Sequence, residues 1–256
     1  MRKSLVLALL PLALPAAAQQ MPASGHDLVR AMRAAYGRHW FTTLIFTQKT
    51  TRRDSTGKET VSTWYESLRY TAGGGTRLRI DIGSPAEGNG VIYSTDSLWA
   101  FRGGKQVAAR AGGNLILPLI EDVYVQPAER TEQELAPTGI DFSRAVLPGT
   151  WQGKPVWIAG ASAAGDTTSP QFWVDPENKA VVRAIFSPVS GAPVMDMRLD
   201  SLVRTGGGWL ATRCEFWVGG KLVQAEDYGD WKTGVDLSPA LFEPATFTTA
   251  PHWAKP

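Results

Sequence analysis

Gly90-Val91-Ile92-Tyr93-Ser94-Thr95-Asp96-Ser97-Leu98-Trp99-Ala100-Phe101-Arg102-Gly103-Gly104-Lys105-Gln106-Val107-Ala108-Ala109 holds three short runs rich in β-branched and aromatic residues, cut by Thr95-Asp96 and by Gly103-Gly104. Both interruptions have the length and turn chemistry of hairpin loops, so the stretch reads as consecutive antiparallel strands over 90–94, 97–102 and 105–109. The same grammar extends outward from this meander. Upstream it gives strands at 40–51, 59–71 and 77–83. Downstream it gives strands at 141–147, 154–159, 169–174, 180–187, 194–203, 209–218 and 221–231. Linkers such as Asp54-Ser55-Thr56-Gly57, Asp175-Pro176-Glu177-Asn178 and Gly219-Gly220 supply the turns between neighbours. The chain is therefore expected to be mostly β, in α+β proportion, with its strands in meander order.

Residues 24–38 break the pattern: Ser24 stands at a capping position, Leu28, Met32 and Ala35 recur at helical spacing, and Gly37 marks a stop. Residues 114–134 carry Leu115, Leu117, Leu119, Ile120 and Val123 without alternation, interrupted by Pro118 and Pro127, which predicts a short helix or irregular lid crossing the sheet. From Leu237 onward Pro239, Pro244 and Pro251 predict an irregular wrap with a loose end. No repeat or linker divides residues 19–256, which read as a single domain. Ten tryptophans are spread over the strands. One sheet with one helix offers too little cover for that much apolar surface, so a second sheet or a ligand is expected to complete it.

Arg2 and Lys3 precede an apolar run from Leu5 to Leu14, broken by Pro11 and followed by Ala16-Ala17-Ala18. This is the pattern of a secretory signal peptide, residues 1–18, cut after Ala18. The run is shorter than the roughly 20 residues a membrane-crossing helix needs. With no cysteine at the junction, an unanchored periplasmic or secreted product is expected. Arg2 and Lys3 account for two of the 26 basic residues, which leaves 24 against 24 acidic ones in the mature chain. A neutral balance argues against nucleic acid as a partner, because phosphate binding needs excess clustered Lys and Arg. Cys214 is the single cysteine, which excludes an internal disulfide and reads as a buried, inert thiol.

Motifs that could carry chemistry are weak. His26, His39 and His252 have no metal-binding spacing, so no metal and no cofactor are expected. Gly160-Ala161-Ser162-Ala163-Ala164-Gly165 misses the nucleophile-elbow spacing by one residue and reads as a hairpin loop. Ser55-Thr56-Gly57-Lys58 and Lys232-Thr233-Gly234 resemble two motifs of serine acylating enzymes, yet the first lies in a polar tract between strands and reads as a turn. Asp81, Glu121, Asp122, Asp196 and Asp200 stand near strand ends and are expected to be solvated rim charges.

Phe46-Thr47-Gln48-Lys49, the strand bearing Trp64, Arg77-Leu78-Arg79-Ile80-Asp81, the run from Val91 to Phe101, Gln171-Phe172-Trp173-Val174-Asp175-Pro176 and Leu241-Phe242 before Pro244 occur in an order that resembles the LolA/LolB-like family of periplasmic lipoprotein carriers and sorting proteins. The resemblance implies a curved, unclosed antiparallel β barrel with an N-terminal helix and a short helical or irregular lid across its concave face. It also implies a hydrophobic cavity for acyl chains. The arginine–proline pair that this family carries before the third strand is replaced here by Thr71-Ala72-Gly73-Gly74-Gly75. On the carrier reading the inward residues are Leu44, Phe46, Trp64, Leu78, Ile80, Ile92, Trp99 and Phe101, with Leu117, Leu119 and Ile120 as lid. The expected partners are a lipid or an acylated lipoprotein, with envelope transport proteins as further candidates, and the expected state is a monomer without catalytic residues. Two alternatives stay open: an envelope interaction module whose barrel is filled by its own side chains, and an envelope hydrolase.

Overall fold

Alternating apolar positions become thirteen antiparallel strands of one continuous sheet in a computed structural model, which describes residues 20–37, 39–72, 75–187 and 192–254. The signal-peptide reading at 1–18 and the Gly73-Gly74 pair lie outside the described residues. The first series runs β1 (Thr43–Arg53), β2 (Glu59–Thr71), β3 (Gly75–Ile82), β4 (Gly90–Tyr93), β5 (Ser97–Arg102) and β6 (Lys105–Ala111). A crossing segment follows, with helices α2 (Leu117–Ile120) and α3 (Ala128–Leu135). The second series is β7 (Leu147–Trp151), β8 (Lys154–Ala159), β9 (Gln171–Val174), β10 (Val181–Phe186), β11 (Met195–Thr205), β12 (Gly208–Val218) and β13 (Lys221–Thr233).

Each series is a meander, and the two join through β1 and β13, where Leu44 faces Thr233 and Gln48 faces Tyr228. The edges β6 and β7 do not pair, so the structure is a curved, open β barrel with few helices. Register shifts at Ile45/Thr47, Ala100/Phe101, Val181/Arg183 and Phe216/Trp217 are bulges, which bend and twist the strands that carry them.

Helix α1 (Gly25–Tyr36) starts where the Ser24 hydroxyl accepts the Asp27 N–H at 3.2 Å, and it buries Leu28, Val29 and Met32. Those side chains fill the curve of the second series against Phe172, Phe186 and Met197. Trp40, expected in the first strand, instead closes the turn after α1: its N–H bonds the Tyr36 carbonyl at 3.0 Å and its ring stacks on Tyr124 with 4.0 Å between centroids. A side chain at Gly208 would overlap that ring, so glycine is required where β12 begins.

Two other expectations are corrected. Residues 141–146 form turns with one isolated bridge from Ser24 to Ala145, and the strand starts only at Leu147. The Asp141 carboxylate draws the chain into an Asx turn by accepting the Ser143 N–H at 3.0 Å. The tail does not end loosely. Leu237, Leu241 and Phe242 pack on Ile45, Phe247 stacks on Phe101 at 3.9 Å, and the Trp253 indole N–H donates to Ser67 Oγ at 2.8 Å. Cover for the convex face thus comes from this segment rather than from a second sheet.

Candidate functional site

The pleat of β1, β2 and β3 sends every second side chain to the concave face. Leu44 lies opposite Leu68, Phe46 opposite Glu66 and Gln48 opposite Trp64, while Leu68 and Glu66 face Leu78 and Ile80 on β3. On the other side of β1, β13 and then β12 continue the wall and present Leu210, Cys214, Phe216, Glu226 and Tyr228 to the same space. Helix α2 roofs it with Leu117 and Ile120. These walls enclose a cavity of about 430 Å³, within the usual range for a small-molecule site.

Several acids face this cavity or support its roof. Burial pushes the Glu66 carboxyl well above its ordinary value, and the neighbouring Glu226 pushes in the same direction. Glu226 is raised too, again chiefly by burial, although Tyr228 and Gln224 donate hydrogen bonds to it. Glu121, at the end of α2, is pushed up to about 8 by burial, against a hydrogen bond of 3.2 Å from the Trp40 indole N–H. Asp122 behind it is raised to about 6, also by burial, and accepts the Thr76 hydroxyl. Burial thus weights these acids toward their protonated forms, and Arg52 is the one basic side chain among the described lining residues of the cavity.

Of the positions expected to face inward, Leu44, Phe46, Trp64, Leu78 and Ile80 line the cavity. Leu117 and Ile120 lie in its roof, whereas Leu119 turns away into the α1 cluster. Ile92, Trp99 and Phe101 are on the opposite face, packed with Phe247 of the tail. Their strands run one residue out of the assumed phase: Ile92 pairs with the outward Arg79, and the inward residue is Tyr93, opposite Leu78. Gln48, Glu66, Glu226 and Tyr228 were not anticipated. Glu66 was readable, since it sits two residues from Trp64 and two from Leu68 on an alternating strand.

The acids read as rim charges are largely not so. Asp81, Glu121 and Asp122 are buried, and Asp196 is half-buried in a bidentate pair with Arg183 at 2.8 and 2.9 Å. Asp81 is gripped on the convex side by the Arg79 guanidinium through two bonds of 2.7 Å and by His252 Nε2 at 3.0 Å. Ser55 and Lys58 lie in an exposed turn held by the Asp54 carboxylate, and Ser162 lies in an exposed loop between β8 and β9 capped by Asp166. Cys214 is buried, and burial pushes its thiol well up. Among the described residues no group of three or more His, Cys, Asp or Glu could hold a metal ion, and no helix is long and apolar enough to cross a membrane.

No protein-family model matches the chain, and no curated protein matches it in sequence. Solved structures do match it. A DUF1329 family protein from Desulfovibrio piger superposes with a TM-score of 0.61 at 13% identity, covering 87% of this chain and 97% of the other. A domain from Vibrio parahaemolyticus described as an outer membrane lipoprotein-sorting protein gives 0.61 at 11% identity, over 88% and 98% of the two chains. A LolA superfamily protein from Nitrosomonas europaea gives 0.50 at 16%, over 84% and 97%. Identities this low speak to architecture alone, and on architecture the chain has the LolA-like fold, an open curved β barrel with helices across its concave side.

Proposed function

We propose that this protein is a non-catalytic carrier that holds a lipid, or the acyl chains of a lipoprotein, in the cavity beneath α2. The observation that carries the reading is the roughly 430 Å³ cavity on the concave face, walled by Leu44, Phe46, Trp64, Leu78 and Ile80 and roofed by a helix of only four residues. Each methylene moved from water into such walls contributes about 0.8 kcal/mol, so a chain of ten supplies roughly 8 kcal/mol before the costs of association. A thin roof can part without unravelling the sheet, which suits loading and release.

The concave side explains why the self-filled alternative accounts for only part of the molecule. Helix α1 packs one part of the concave curve, while the rest, between β1–β3 and β11–β13 beneath α2, stays open as the cavity. The hydrolase alternative is disfavoured by the state of the candidate nucleophiles. Burial pushes the Cys214 thiol and the Tyr228 hydroxyl well up and keeps both protonated, the reverse of what activates a nucleophile. The leader at 1–18 and the sorting-protein neighbour support a periplasmic setting, with residues 19–256 acting as one monomeric domain.

The test is titration with a fluorescent, uncharged long-chain alcohol analogue whose emission rises in apolar surroundings. Saturable binding is expected, reduced at least tenfold by Leu117→Asp or Ile120→Asp, since either places a carboxylate in the roof. A probe that stays dark with the wild-type protein contradicts the carrier reading.

A further inference from the structure

Five acids are buried in the described structure, and four of them have hydrogen-bond partners: Asp81 has Arg79 and His252, Glu121 has Trp40, Asp122 has Thr76, and Glu226 has Tyr228 and Gln224. Glu66 is the exception. It is 6% exposed, it lines the cavity between Phe46 and Ile80, and no described residue donates to its carboxyl. Its carboxyl oxygens are not sealed in: they open onto the cavity, where the apolar neighbours offer them no donor. The one direction in which a donor can reach Glu66 is from the cavity itself.

We propose that Glu66, backed by Glu226, is a polar subsite that holds the hydrogen-bond-donating head of a bound amphiphile, a primary ammonium above all, while the chain of that molecule fills the apolar part of the cavity. The assignment rests on the carrier reading and adds the class of ligand. Two carboxyl groups in one lining, Glu66 on β2 and Glu226 on β13 with β1 between them, make this part of the cavity complementary to a cation and hostile to a carboxylate or phosphate. The one basic group in the described lining acts on Glu226 rather than on Glu66. Arg52 lies exposed at the mouth, where its Nε donates to Gln224 Oε1 at 2.9 Å and its guanidinium sits 4.9 Å from the centre of the Trp64 ring.

Calorimetric titration with dodecylamine, dodecanol and dodecanoate, each below its micelle-forming concentration and near neutral pH, separates head from chain. Dodecylamine should bind about tenfold or more tighter than dodecanol, the range expected of one charge-assisted hydrogen bond, with dodecanoate weakest. E66Q should shrink the margin between amine and alcohol to about twofold or less. Equal affinity for amine and alcohol, or a margin that survives in E66Q, overturns the subsite and leaves the carrier reading intact. Tighter binding of dodecanoate overturns it by placing the head on Arg52. Failure of all three to bind removes both proposals. The ranking in the wild-type protein needs no variant, and circular dichroism checks the fold of E66Q.

Discussion

Glu121 and Asp122 sit side by side where the roof helix ends, and burial raises both, to about 8 and about 6. A carboxyl whose folded value lies above its unfolded one keeps its proton longer in the native state. The stability it contributes is complete below the ordinary value of 4.5, declines as pH rises, and is gone once pH passes about 8. Thermal melts are therefore expected to show a falling Tm between those limits, and Glu121→Gln should flatten the upper part of that fall. A Tm that is flat or rising over the same window would show these acids to be solvated. Asp81 has the opposite sign. Burial alone would raise it, but the hydrogen bonds from His252 and Arg79 hold it below its ordinary 3.8, so its contribution is present above that value and is lost as pH falls through the lowered one. Asp81→Ala leaves the Arg79 guanidinium, 2% exposed, without its partner and should cost about 3–5 kcal/mol in denaturant melts. A cost under about 1 kcal/mol would mean that water or Leu241 takes over.

At the scale of elements, roof and tail do different jobs, and single substitutions should separate them. Phe247→Ala removes the ring between Phe101 and the Arg79 guanidinium, and should cost about 3–5 kcal/mol of stability while leaving ligand affinity unchanged. Ile120→Asp, at a partly buried roof position, should lower affinity with a much smaller loss of stability. If both variants lose stability and affinity together, roof and tail are not separable. The tail also explains what the sequence concealed. Strands β1, β2 and β3 alternate, so their inward side could be read from Leu44, Phe46, Trp64, Leu78 and Ile80. In Val91-Ile92-Tyr93 and Leu98-Trp99-Ala100-Phe101 every position is apolar, because the concave cavity lies on one face and Phe247 covers the other. Such a run has no phase to read, and a shift of one residue exchanges the faces. Burial of Asp81 was hidden for a related reason: its partner His252 is 171 residues away in a segment with no periodicity. The bulges opposite Ile45/Thr47 and Phe216/Trp217 each insert an extra residue into β13 and break its phase, which left Glu226 and Tyr228 unplaced.

At the scale of the whole molecule, one continuous sheet does two things. One part of its concave side is bound to α1 by an apolar cluster around Met32, Phe172 and Phe186, while the part between β1–β3 and β11–β13 keeps a cavity under a thin roof. Amide hydrogen exchange should follow this division, slowest in β9 and β10, where every residue is buried, and fastest in β6, where every residue is exposed, and in the segment around α2. Uniform protection across the sheet would contradict it. The central claim is that the cavity carries an acyl chain. Native mass spectrometry of the protein purified from a bacterial periplasm, followed by organic extraction, reads that occupancy directly. The expected result is a bound mass that extraction returns as a lipid or acylated peptide and that is missing from the Leu117→Asp variant. A bare mass, unshifted after incubation with fatty acid, lipopeptide and long-chain amine, would contradict the account.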